Sequence, residues 1–484
     1  MSKQRAHGMG GTVDVRGSGV KGGSVGSGGT GCRSNKDRNE ARTRSAASVR
    51  KQKIPKRDAW YRLDNIGNYY VSELGRPFQT VFRLSAQMTE TVDPVVLQEA
   101  FNKTIEEFPN FNVCLRTGFF WHYLQEMDTV PTVTPENQPI CARLHFGAKS
   151  PLVRISYFRE RINFEVSHMV SDGRGTVAFF QELLRQYILI RYQIQNVELA
   201  YQGTDSEKAE DSYSKYYERV GGVATKLKSA YQISGIKVQE DPTFMELHMK
   251  VSDVLDLAHK MGVSLTSLVI AVVISSIRRD MKDAQAGEII RIGVPVDLRT
   301  VFKSETTKNF FGLLFVSHTV VPAGQEPAIP ELAREIQEQL KEGGKRENLK
   351  PRMMQMVSFE KNRLIQMAPV FIKDKVVSVI SWMTRKDQTT TVSNVGVVKL
   401  DPALEHYVQN INILTGTAGI NFVIASCSGD LSIGISTVYT NFDMVRHVVR
   451  YFTESGVDTY INSSRAELLE TFSGSEKDGI HAAM

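Results

Sequence analysis

The chain has 484 residues, with 59 Lys+Arg against 53 Asp+Glu for a formal charge of +6, and is 41% apolar and 23% charged. These are the proportions of an ordinary folded protein and exclude collagen-like, coiled-coil and wholly disordered chains. The surplus charge is concentrated: residues 1–57 carry 14 basic and 3 acidic side chains, a net +11, which leaves −5 on residues 58–484. That segment also holds 11 of the 36 glycines and only isolated apolar side chains, too few to offset the entropy of ordering a chain, so 1–57 is expected to be a disordered basic tail.

The remainder, about 430 residues at roughly 100–200 per domain, predicts two similar units or one large two-lobed domain. Trp60-Tyr61-Arg62-Leu63 opens it and Thr80–Leu84 reads as a strand. Asp93-Pro94 starts a helix, with an N-cap and Pro at the first position, and Leu97, Phe101, Ile105 and Phe108 form its apolar stripe. Phe111–Arg116, Phe119–Leu124, Leu152–Phe158 and Ile162–Ser167 read as short strands, the last two joined as a hairpin by Arg159-Glu160-Arg161. A helix is expected from Gly173 to about Arg191.

Gly203–Lys215 is polar and turn-rich, a linker or exposed crossover. Helices follow near Ser252–Lys260 and Leu265–Met281, strands at Ile289–Val296 and Gly312–Val320, a helix near Pro330–Glu342 and a long Met-rich helical region at Met353–Trp382. Four strand-like runs, Thr389–Lys399, Tyr407–Leu414, Ile420–Cys427 and Leu431–Val438, precede a last helix near Asp443–Ser455. Helices interleaved with strands, then consecutive strands, argue a mixed α/β sandwich with an antiparallel portion.

Cys32, Cys114, Cys141 and Cys427 lie far apart with no CxxC pair, which argues against a zinc ribbon or disulfide scaffold and for buried thiols in a reducing, cytoplasmic setting. No signal-peptide apolar core follows the N-terminus. The uncharged windows 261–277 and 406–429 are too polar or broken for a transmembrane segment. The tail's charge permits non-specific attachment to nucleic acid or an anionic membrane, but it has no aromatic residue to stack on bases, so no specific nucleic-acid partner is expected.

Chemistry concentrates at His168-Met169-Val170-Ser171-Asp172-Gly173, between a predicted strand and a predicted helix. An imidazole at a strand end can take a proton from a hydroxyl at neutral pH, while Asp and Gly shape the turn that presents it. A structural histidine beside a helix-capping Asp fits the same residues. GxSxG at Gly22–Gly26 lies in the tail without a strand–turn–helix context, and neither GxxxxGK[ST] nor HExxH occurs. The basic residues of Gly343–Arg346 and Lys350–Arg352 suit either phosphate groups or a solvated loop.

Several blocks together resemble the HHxxxDG/HxxxD superfamily of CoA-dependent acyltransferases. This superfamily includes chloramphenicol acetyltransferase, plant acyltransferases, peptide-synthetase condensation domains and the alcohol acetyltransferases. The blocks are Glu165–Gly173, Trp60–Asn65, Phe82–Ala86, Val294–Phe302 with Lys308–Phe311, and Val392–Leu400. The likeness is greatest to bacterial proteins called alcohol acetyltransferase. It implies an α/β, two-lobed chloramphenicol-acetyltransferase-like sandwich with mixed sheets after the tail. Its parts would be an N-terminal lobe at 58–202, a linker or crossover at 203–240 and a C-terminal lobe at 241–484.

The resemblance implies that His168 is the base that deprotonates an acceptor hydroxyl or amine as it attacks a thioester. Asp172 would be structural and paired with Arg299, and Gly173 would let the helix start close to the loop. Asn394 and Gly396 would line the substrate channel. Asn309 is a candidate for the channel or for oxyanion stabilisation, and equally reads as a cap or turn Asn. Ser167 stands where many members have a first histidine. The resemblance further implies acyl-CoA as cosubstrate with no bound cofactor or metal, and a small alcohol or amine as acceptor. The alternatives are a condensation-type enzyme using an acyl carrier protein and a catalytically silent binding protein on the same scaffold.

Overall fold

Sequence signals for helix starts become caps in the computed structural model, which describes residues 59–74, 81–195, 197, 201, 203–219, 227–238, 241–281, 285–465 and 480–482. The expected tail at 1–57, Cys32 and parts of the 203–240 linker lie outside these residues. At the Pro94–Glu107 helix, the Asp93 carboxylate accepts from the backbone N–H groups of Val95 and Val96, satisfying donors that the first turn leaves open. Leu97, Phe101 and Ile105 are buried along its inner face.

This helix packs with the Gly173–Tyr192 helix against a five-stranded sheet. The strand order is Val408–Thr415, Val81–Met88, Arg161–Ser167, Val153–Phe158 and Thr134–Pro135. Phe164 of the sheet stacks on Phe179 of the second helix at 4.6 Å and meets Phe101 of the first at 6.3 Å. The first strand of the order comes from the C-terminal half of the chain. Val408–Thr415 pairs antiparallel with Val81–Met88, Ile413 opposite Leu84. The sequence places this run among its antiparallel neighbours; instead it leaves them for the other sheet.

The second large sheet has eight strands, in the order Phe311–Thr319, Ile289–Asp297, Thr390–Val397, Ile420–Cys427, Asp430–Thr437, Thr243–Lys250, Thr459–Ser463 and Ile480–Ala482. It is mixed, with Thr390–Val397 running parallel to both of its neighbours. The Leu265–Asp280 helix is apolar nearly all round and buried from Ser267 to Ile274, as a core helix must be. Helices Ile329–Gly343 and Asp443–Glu454 pack on it. The two sheets approach most closely where Val408–Thr415 crosses Asp430–Thr437. A Cβ on Gly434 would lie 2.0 Å from the Ile413 carbonyl oxygen, so only glycine fits.

A small third sheet joins Trp60–Arg62, His122–Glu126 and Val113–Thr117, all antiparallel. Thr243–Lys250 alternates Met245, Leu247 and Met249, which face the core, with Glu246 and His248, which are buried and paired, a period-two strand pattern that no expected element covers. The region expected as one long helix at 353–382 is three, Arg346–Lys361, Arg363–Met367 and Val370–Thr384. Pro369 caps the last of them, and it can neither donate a helical hydrogen bond nor let the residue before it stay helical. Cys114, Cys141 and Cys427 are buried free thiols. Among the described residues no single helix is long and apolar enough to cross a membrane. Val251–Lys260 and Leu265–Asp280 pass that test only together, bent by 82°.

Candidate active site

The Arg161–Ser167 strand ends opposite Val81, so the residues after it leave the sheet at its end and turn into the Gly173–Tyr192 helix. The turn is closed by the Val170 N–H donating to the Ser167 carbonyl at 2.9 Å, and Ser167 Oγ accepts from the Met169 N–H at 3.3 Å. Ser167 thus holds the turn. The His168 ring is sandwiched between Tyr70, stacked at 4.8 Å, and Phe82, tilted at 4.4 Å. Its Nδ1 is buried without a hydrogen-bond partner. Burial lowers its pKa to about 4, against the opposing pull of the Asp172 carboxylate. The imidazole is therefore neutral at pH 7, with a lone pair available.

Asp172 is the N-cap of the helix. Its Oδ1 accepts from the Gly175 N–H at 2.9 Å and its Oδ2 from the Phe310 N–H at 2.7 Å. Arg299 meets the same carboxylate with both terminal nitrogens at 3.0 Å, a bidentate pair that fixes orientation as well as charge. The rest of the guanidinium is also used: Nε donates to the Thr306 carbonyl, Nη2 to the Lys308 carbonyl and Nη1 to Asp297. Together Asp172 and Arg299 tie the histidine loop to the strand that ends at Asp297.

The 304–310 loop is the second clamp. Ser171 Oγ donates to the Thr307 carbonyl at 2.5 Å, and Asn309 Nδ2 donates to the His168 carbonyl at 2.9 Å. Asn309 is 1% exposed and also lies 3.3 Å from both oxygens of Asp64. Its amide nitrogen thus holds the histidine backbone in place. Gly203–Lys215, expected as a linker or exposed crossover, folds into two short helices whose Lys208 carbonyl accepts from Thr306 and Thr307 of this loop. Its polar composition serves hydrogen bonds to the clamp.

Gly173 and the Asn394–Gly396 segment adjoin. Val395 Cγ2 would lie 3.4 Å from a Cβ on Gly173, and Arg174 donates to the Val395 carbonyl. Gly396 sits at φ +85° where the register with Ile420–Cys427 shifts. The Asn394 side chain accepts from the Gly396 N–H and donates to Thr266, so it shapes this bulge. A cavity of about 710 Å³ lies along the start of the Gly173–Tyr192 helix, bordered by Arg174, Gln181, Arg299 and Lys399 but not by His168. The basic residues at 343–352, expected in a loop, lie at a helix junction and in the first turns of the Arg346–Lys361 helix, with Lys345 paired to Glu342 and Lys350 to Glu218. Among the described residues no group of three His, Cys, Asp or Glu is gathered as a metal ion requires.

Two residues of the site carried no assignment from sequence. Asp64 lies within the Trp60–Asn65 block; it caps the Asn65–Ser72 helix through the Gly67 N–H, and burial raises its carboxyl pKa to about 6. Gly175 has no local signal at all. A Cβ there would fall 2.0 Å from the Thr307 carbonyl oxygen, a contact that exists only once helix and loop have met.

A family model described as "Phthiocerol/phthiodiolone dimycocerosyl transferase C-terminus" matches residues 248–435. Comparison with curated proteins gives no match. Among solved structures, polyketide synthase associated protein 5 from Mycobacterium tuberculosis is 14% identical, over 80% of this chain and 96% of that one, with a TM-score of 0.52. The first condensation domain of the calcium-dependent antibiotic synthetase, in complex with a substrate analogue, is 14% identical over 82% and 95%, TM-score 0.53. TRI101 of F. sporotrichioides, complexed with coenzyme A and T-2, is 11% identical over 81% and 97%, TM-score 0.56. The chain has the mixed α/β fold of these acyltransferase and condensation-domain structures.

Proposed function

We propose that the chain is an acyltransferase that moves an acyl group from a thioester donor, acyl-CoA, to the hydroxyl or amine of a small acceptor, with O-acyl transfer of the alcohol acetyltransferase kind as the specific reaction. The observation that carries this is His168: a neutral imidazole, clasped by two aromatic rings, on a loop whose backbone is anchored by Asn309, Ser171 and the Asp172–Arg299 pair. With Nδ1 buried, Nε2 is the nitrogen that meets the acceptor. It takes the hydroxyl proton as the oxygen attacks the thioester carbonyl. Collapse of the tetrahedral adduct breaks the C–S bond, and the imidazolium returns the proton to the leaving thiolate, giving ester and free thiol. Asp172 and Arg299 act as positioning residues throughout.

The fold shared with TRI101, whose structure is a complex with coenzyme A, supports a CoA donor. The condensation-domain likeness supports a second donor, the same thioester carried on a protein. The test is free-thiol release from acyl-CoA and from an acylated carrier protein, each with an alcohol acceptor, for wild type and His168→Ala. Loss of about 10²–10⁴-fold in the variant is expected for removal of a general base. Equal turnover in both proteins removes His168 from the mechanism.

A further inference from the structure

The Val370–Thr384 helix is amphipathic the wrong way round. Three of its polar side chains face the protein: Asp374 pairs with His122 at 3.1 Å, Ser381 donates to the Tyr69 hydroxyl, and Lys373 Nζ donates to the Phe120 carbonyl. Only Val370 and Ser381 are buried. Ile372, Val376, Val379 and Met383, spaced as one helical stripe, are exposed, as are Phe371 and Trp382 beside them. The helix begins against the turn before the His122–Glu126 strand, the Val370 N–H donating to the Phe119 carbonyl at 2.9 Å, and Phe119 and Trp121 of that turn are exposed too. A soluble surface rarely shows so continuous an apolar face without something to cover it.

Charge and aromatic content distinguish the occupant. The one acidic residue of the helix, Asp374, is turned inward onto His122, while Lys375 and Lys386 are exposed at the rim. A second copy of the same face would bring exposed lysines near lysines, with the Asp374 carboxylate already engaged by His122, whereas a two-fold interface must be complementary to itself. All three tryptophans of the chain are exposed, Trp60 at 62%, Trp121 at 58% and Trp382 at 64%, and they belong to this helix and the adjoining three-stranded sheet. Tryptophan with aliphatic side chains on one face and lysine at its edge is the pattern of a helix lying in a membrane–water interface. We propose that the Val370–Thr384 helix and the Phe119–Trp121 turn form a docking surface for an anionic lipid bilayer. The helix inserts its apolar stripe among the acyl chains and its lysines meet lipid phosphates. This surface is independent of the acyl-transfer reading.

The test uses the full chain with phosphatidylcholine vesicles containing about a third phosphatidylglycerol, read by co-sedimentation and by tryptophan emission. Binding with a blue shift is expected for wild type. The double variant Val376→Ser, Val379→Ser keeps every tryptophan and the whole basic tail, and its partitioning should fall about tenfold or more at an unchanged melting temperature. Equal partitioning of the two proteins, or binding of both abolished by about 0.5 M salt, assigns the attraction to the tail's charge alone and overturns the proposal. So does vesicle-free self-association of wild type that the variant abolishes, which makes the occupant a second copy.

Discussion

At the scale of single residues, the His168 site is set by burial on one side and by hydrogen bonds to its loop on the other. A base whose pKa is depressed to about 4 by desolvation stays unprotonated through neutrality. The acid limb of kcat/KM should therefore fall well below pH 6.5, near pH 4, in a pH–rate profile, and a limb at the ordinary histidine value would contradict the burial. Arg299 tests the loop. Its removal strands the Asp172 carboxylate among buried groups, so Arg299→Ala should cost about 3–5 kcal/mol in denaturant unfolding and lower activity with it. Arg299→Lys, which keeps charge but loses the fork, should recover only part of either. The Asp172–Arg299 pair was expected from a resemblance carried by several spaced blocks and not from local chemistry, since the two residues lie far apart in the chain. Asp64 was quoted within a block without a role, and Gly175 was invisible, because what each touches comes from distant parts of the chain.

At the scale of elements, helix bounds were the most legible features: the helices expected at 173–191, 252–260, 265–281, 330–342 and 443–455 are each found within one residue at both ends. Asp93-Pro94 and the 97/101/105 stripe announce a helix in local chemistry, and the structure carries them unchanged. Thr243–Lys250 was missed although Met245, Leu247 and Met249 alternate with Glu246 and His248; what the alternation does not reveal is that Glu246 and His248 are also buried, paired by Arg161 and Asp430. The junction of the Gly173–Tyr192 helix with the 304–310 loop gives a sharp comparison between neighbouring glycines. Gly175→Ala puts a methyl 2.0 Å from a carbonyl oxygen and should destabilise the fold by about 2 kcal/mol or more while displacing the histidine loop. Gly173→Ala makes an ordinary 3.4 Å contact and should change stability by no more than about 1 kcal/mol. Thermal unfolding of both variants decides between them; equal stabilities would mean that helix and loop are not in contact as described.

At the scale of the whole molecule, the two large sheets are joined by charge as well as by packing. Arg161 of the five-stranded sheet forms two 3.0 Å hydrogen bonds to Glu246 of the eight-stranded one, and His248 lies 2.8 Å from Asp430 and 3.6 Å from Glu246. Despite opposing desolvation, these partners lower Glu246 to about 2 and raise His248 to about 9. The histidine's contribution is complete below its unfolded pKa near 6.5 and is lost as pH rises through about 9; the glutamate's is complete above about 4.5 and is lost as pH falls through about 2. The network therefore favours the fold most between about pH 4.5 and 6.5. His248→Gln should flatten the alkaline fall in unfolding free energy, worth about 3 kcal/mol from the histidine shift, and an unchanged alkaline limb would show the pairing to be inert.

The exchange of Val408–Thr415 into the first sheet has a consequence for synthesis. During translation, Val81–Met88 can pair with Arg161–Ser167 as soon as that strand has been made, but its other edge has no partner until the ribosome has reached Thr415. For that interval the nascent chain carries an unpaired strand edge of the kind that recruits foreign strands, and the loop that must close is long enough to make the last pairing slow. The histidine turn is built on that same incomplete sheet. Its final anchoring by Arg299, Thr307 and Asn309 also waits for the second half of the protein, so a polypeptide released early would hold the reactive ring without the clamp that aims it.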